Sequence, residues 1–137
     1  MVASRDLGRS ECLSRLATAE IGRLIYTANC LPAARPVHLD LIDGSLYVAL
    51  GRDVDRTAVR AGDVVAIETD DASPYAAATW SVTATGVILG FVEAGEDQSP
   101  SPRLAWAAAA GLPLIHLSLE QLEGYVSDPC EVPPPSR

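Results

Sequence analysis

The sequence predicts a mainly β protein, a small closed antiparallel barrel carrying short helices. Three observations carry that expectation. Apolar and polar residues alternate from Arg35, with Val37, Leu39 and Leu41 pointing one way and His38, Asp40 and Ile42 the other. Asp43-Gly44 then links this run to Leu46-Tyr47-Val48-Ala49-Leu50, the signature of a tight hairpin. A long segment from about Ala77 to Val92 contains Thr83-Ala84-Thr85-Gly86, small residues suited to a crowded, strongly curved strand. About six strands in antiparallel succession, with three short helices, close most naturally as a barrel, which removes exposed sheet edges.

The elements follow in order. Ser10 to Ala17 spaces its apolar residues for one helical face, with Ser10 as the expected N-cap. Gly22 to Ala28 is apolar and β-branched enough for a strand, and Asn29 to Ala34 is expected to turn before the strand from Arg35. After the hairpin, Asp53 or Asp55 caps a short helix through Val59, and Gly62 ends it. Val64 to Glu68 is a strand closed by the acidic turn Asp70-Asp71-Ala72-Ser73-Pro74. Past the long strand, Glu93 to Pro102 is an acidic, Pro/Ser-rich loop, and Arg103 to Ala110 an Ala-rich helix containing Trp106. Leu112 to Leu117 is the last expected strand and Leu119 to Leu122 a short turn. Residues 1–128 are expected to be a single domain, and 129–137 an extended proline-rich tail.

Composition narrows the function. The 137 residues are 48% hydrophobic and 20% charged, the balance of a soluble globular protein. No apolar run approaches the roughly 20 residues of a membrane span, and the N-terminus lacks the apolar core of a secretory signal. The cytoplasm is therefore the expected location. A net charge of −8 opposes nonspecific nucleic-acid binding. Cys12, Cys30 and Cys130 lack zinc-site spacing, so free thiols and no metal are expected. All ten basic residues are arginine, so no lysine can form a Schiff base. Nucleophile-elbow, Rossmann and P-loop motifs are absent as well.

Arg52, Arg56 and Arg60 are spaced by four, so on a helix they share one face beside its positive end, a candidate phosphate grip. The competing expectation is that they pair with Asp53, Asp55 or Asp63 on a solvated surface. His38 and Asp40 face the same side of their strand, and His38 is a candidate to exchange a proton; a surface or interface histidine is the alternative. Trp80 reads first as a packing residue, and Trp106 either packs or covers a pocket mouth. Nothing in the sequence selects Tyr47 or Tyr125, and His116 has no evident partner.

Several pieces taken in order carry a family resemblance: Ile21-Gly22-Arg23-Leu24, Arg35-Pro36-Val37, Asp43-Gly44-Ser45-Leu46-Tyr47-Val48 and Val65-Ala66-Ile67-Glu68-Thr69-Asp70. Trp80-Ser81-Val82 and Gly86 continue it, over roughly residues 10 to 125. This order resembles the FMN-binding split β-barrels of the pyridoxamine 5'-phosphate oxidase-like family. The resemblance implies a six-stranded antiparallel split barrel and a homodimer with FMN at its interface. It also implies oxidoreductase chemistry on a small organic substrate, with a deazaflavin as a variant. Carried over by position, the cofactor-binding residues would be Arg35, Pro36, Val37, His38, Ala49, Leu50, Arg52, Arg56, Thr57 and Trp80.

The chain also departs from the family pattern. Ala49-Leu50 stands where an Arg-Thr pair commonly holds the phosphate, Thr79 where a glycine precedes the tryptophan, and Gly124-Tyr125 where a Gly-Arg is common. Two alternatives therefore stay open. One is a split barrel that has lost flavin and acts as a non-redox biosynthetic enzyme or small-molecule-binding protein; the other is a structural or regulatory dimer without a ligand.

Overall fold

A computed structural model describes residues 4–71, 79–92 and 100–127. The sequence expectations for 72–78, 93–99 and the 129–137 tail lie outside the described residues. The chain runs β1 (Ser4–Asp6), α1 (Arg9–Thr18), β2 (Ile21–Ala28), β3 (Leu31–Ile42) and β4 (Ser45–Ala49). A single 3-10 turn (Arg56–Ala58) precedes β5 (Val64–Asp70) and β6 (Thr79–Val92). Then come α2 (Ala105–Ala109), β7 (Leu114–Leu117) and β8 (Gln121–Ser127).

Strands β2, β3, β4, β7, β6 and β5 form a closed antiparallel ring of six, the expected barrel. Two further strands, β8 and β1, continue the sheet outward from β6. The sequence reading had only a turn at Leu119 to Leu122 and nothing at Ser4. Gln121-Leu122-Glu123-Gly124-Tyr125 mixes charges with a glycine and reads poorly as a strand. Its strand state depends on the ladder that β6 offers over Thr79–Thr85.

β6 can serve three neighbours because it changes partner partway. Its first half pairs β8, its last residues pair β7, and Gly86 lies between. The Ser118 carbonyl approaches Gly86 so closely that any Cβ would collide with it. A register shift between Ile88 and Gly90 then turns Leu89 outward.

Both hairpin turns beside β3 use positive φ at their two central residues. Asp43 and Gly44 have φ of 49° and 78°, as the Asp-Gly signal predicts. Asn29 and Cys30 have φ of 52° and 62°, so the turn spans two residues and β3 starts at Leu31. The expected Asn29–Ala34 turn is corrected accordingly. Cysteine is a rare choice there, and Pro32 argued against a strand; Pro32 is tolerated because this part of β3 pairs β2 alone.

The barrel interior is aliphatic. Leu24, Leu39, Leu46, Val48, Ile67, Ile115 and Leu117 are all fully buried in one cluster. Truncating one of these leucines to alanine is expected to cost about 2–5 kcal/mol. Helix α1 begins at Arg9 after Gly8, and Glu11 reaches back to the Gly8 N–H at 3.4 Å, so Ser10 is not the cap. Its buried Cys12 sits with Leu7 and Val82 in a separate cluster outside the ring. Among the described residues, no helix is long and apolar enough to cross a membrane.

Candidate functional site

β3 builds the site because its alternation puts two kinds of residue on two faces. Val37 and Leu39 enter the core, with Val37 only 3% exposed. His38 and Asp40 point outward, as the spacing predicts, and Arg35 and Pro36 are exposed beside them. Four arginines gather around this strand and the connection from β4 to β5. Arg35 donates from Nε to the Asp53 carbonyl at 3.3 Å and from Nη1 to the Ala34 carbonyl at 2.9 Å. That contact brings the start of β3 against the loop bearing Arg52.

The expected helix through this loop is instead one 3-10 turn, so Arg52, Arg56 and Arg60 do not share a helical face. Gly51 and Asp53 around Arg52 keep the loop open, and three residues cannot propagate a helix. Nor do the expected ion pairs with Asp53, Asp55 or Asp63 form. Among the described residues, carboxylates pair only Arg5, Arg23 and Arg103.

The aspartates serve the turn itself. Asp55 accepts from the Thr57 backbone N–H at 3.0 Å and from Thr57 Oγ1 at 2.7 Å, and these bonds hold its carboxyl below the usual aspartate range. Asp63 accepts the Arg60 N–H at 3.0 Å. Arg56 is engaged by its neighbours although exposed: its guanidinium lies 3.7 Å from the Phe91 ring centre and donates to the Val59 carbonyl at 3.2 Å. Among the described residues Arg35, Arg52 and Arg60 remain as exposed cations with no carboxylate ion pair, Arg60 donating from Nε to the Thr57 carbonyl at 3.4 Å.

The other residues marked in the sequence fall apart in space. Ala49 and Leu50 are each 2% exposed. Leu50 belongs to the barrel core, whereas Ala49 lies under Leu104 and Ala107 beside α2, so neither offers surface to a ligand. Thr57 spends its hydroxyl on Asp55. Trp80 is on β6, separated from β3 by β5 and β2, where Arg15 of α1 sits 5.6 Å from its ring centre.

Three features were not legible in advance. Trp106 meets His38 edge-on, with ring centres 4.9 Å apart and planes at 84°. Asp40 is bound by Ser101 at 2.7 Å and lies 3.4 Å from Arg103. His116 stacks on Tyr47 at 4.6 Å, and its buried Nε2 has no hydrogen-bond partner among the described residues. Each pairing joins residues far apart in the sequence, on a strand and a helix, a strand and a loop, or two strands; only the Tyr47–His116 register offered a signal, had β4 and β7 been known to pair.

Known proteins resemble this chain in sequence or in fold. Residues 8–108 match the family model of pyridoxamine 5'-phosphate oxidase. An uncharacterized Mycobacterium tuberculosis protein, Rv0080, is 38% identical over 87 residues, covering 60% of this chain and 57% of its own length. The chain thus spans somewhat over half of that relative. A Mesorhizobium loti FAD-binding protein superposes with a TM-score of 0.70 at 19% identity, over 93% of this chain and 99% of its own. The FAD binding protein of Mycobacterium smegmatis gives 0.65 at 18%, over 90% and 98%.

Proposed function

This chain belongs to the pyridoxamine 5'-phosphate oxidase family, and from that premise we propose that it binds a flavin along the outer face of β3. Arg35 and Arg52 would hold the phosphate, and Pro36 and His38 would border the ring. The observation that carries this reading is that the exposed guanidiniums of Arg35 and Arg52 have no carboxylate ion pair among the described residues, in a chain of net charge −8. Each charge-assisted hydrogen bond is worth about 1.5–3 kcal/mol, so two can replace the polar grip that Ala49-Leu50 lacks. The donor set therefore fits a phosphorylated flavin.

FMN is the first ligand to test; the FAD binding of two structural neighbours supports a flavin and makes FAD the second. The flavin would supply redox chemistry toward a small organic substrate. The chain's own part is to anchor the phosphate and orient the ring, with His38 moving a proton at its imidazole. A second copy of the chain would cover the open face, where Ile21 is 58% exposed, giving a homodimer. The deciding measurement is the visible spectrum of the purified protein, then its melting temperature with added FMN, FAD or deazaflavin. Colour or a rise of several degrees supports the proposal.

Ala49-Leu50 in place of a polar phosphate grip favours a second reading, a barrel that has given up flavin for another small molecule. A colourless protein whose melting temperature ignores every flavin but rises with other small molecules would select it.

A further inference from the structure

Resting on the ring site proposed above, we infer that Trp106 and His38 form the wall against which a planar conjugated ring is fixed, and that Asp40 is the positioning residue that sets this wall. Helix α2 has five residues, far too few to be stable alone. It is held by apolar contact of Leu104 and Ala107 with Ala49 and Leu114. It is held also by a polar clamp at its entry.

Among the described residues the clamp includes four side-chain contacts. Asp40 Oδ2 accepts from Ser101 Oγ at 2.7 Å, and Oδ1 lies 3.4 Å from Arg103 Nη1. Arg103 Nη1 also donates to the Ala19 carbonyl at 3.0 Å, and Ser101 Oγ accepts the Leu104 N–H at 3.0 Å. Ser101 is fully buried, and the Asp40 side chain is 14% exposed, so solvent competes little for these bonds. The segment entering α2 is thereby tied to β3 and to the chain just after α1.

Trp106 follows closely and stands edge-on to His38, yet it remains 48% exposed. A half-open indole on a fixed mount offers its free surface to a flat partner. Because His38 and Asp40 share a face, one strand places the imidazole directly and the indole through Ser101 and Arg103.

The test uses Trp80→Phe protein, in which Trp106 is the one remaining tryptophan, with FMN and riboflavin as probes. Trp106→Ala should weaken both ligands equally, by about tenfold, as loss of a ring contact requires. Arg52→Ala should weaken FMN alone. Without ligand, Asp40→Asn should shift Trp106 emission as His38→Gln does, and the double variant should shift it no further. Ser101→Ala breaks the same clamp from the other side and should reproduce that shift, which separates loosening from misfolding.

Unchanged Trp106 emission in both clamp variants, or Trp106→Ala leaving riboflavin affinity intact, would overturn the inference. Failure of the Trp80→Phe protein to take up either flavin would overturn the function proposed above and the ring wall with it. The ligand-free emission would then still decide the Asp40 clamp.

Discussion

Two arginine environments on neighbouring strands show how the same side chain serves structure in one place and recognition in another. Arg23 on β2 sits between Glu68 at 3.0 Å and Asp70 at 3.3 Å, its charge more than answered. Arg35, paired across the ladder one residue along, donates only to main-chain carbonyls and keeps its full charge for an incoming anion. Arg52, exposed on the adjoining loop, has no carboxylate partner among the described residues. The difference lies in the neighbours: β5 presents carboxylates to Arg23, while Asp55 and Asp63 accept the backbone N–H groups of Thr57 and Arg60 instead.

The largest expected effect tests the recognition side of this contrast. Replacing Arg35 and Arg52 together by alanine should reduce FMN affinity by about a hundredfold or more. Riboflavin affinity and melting temperature should stay near those of the parent. Titration calorimetry with both ligands checks this, and an equal loss for riboflavin would show that the arginines do not read phosphate.

Arg103→Ala should be the most destabilising single arginine change, by about 1–2 kcal/mol in urea unfolding, because its partner Asp40 is largely buried. Arg56→Ala should lower stability by about 1 kcal/mol through loss of its contact with Phe91, with little change in FMN affinity. A tenfold loss of FMN binding instead would return Arg56 to the ligand site. Arg23→Ala should cost only about 0.2–1 kcal/mol and become silent at high salt, since its pairs are exposed.

The smallest effect belongs to the cap. Hydrogen bonds from Thr57 hold the Asp55 carboxyl below its unfolded value. The folded state therefore binds this proton less readily, and the stabilisation is present above about pH 4 and lost as the pH falls further. Thr57→Ala should melt slightly below the parent at neutral pH, and the two should converge in acid. A gap that widens in acid would contradict the assignment.

The six barrel strands were legible because their pattern is local: Val37, Leu39 and Leu41 alternate, and Asp43-Gly44 can hardly be anything but a turn. β8 and the Asn29-Cys30 turn were not, because Gly124 and Cys30 carry weak preferences that their partner strands override. The arginine spacing misled for a related reason. A period of four has meaning only on a helix, and this loop makes a single 3-10 turn.

By itself, the sequence determined the barrel class, the outward facing of His38 and Asp40, and the surplus of arginine beside them, since all three follow from periodicity and composition along one strand. Only the tertiary structure decided which charges stay unanswered and which aromatic ring stands over His38. Those outcomes depend on side chains brought together from distant parts of the chain, and no local pattern records such meetings.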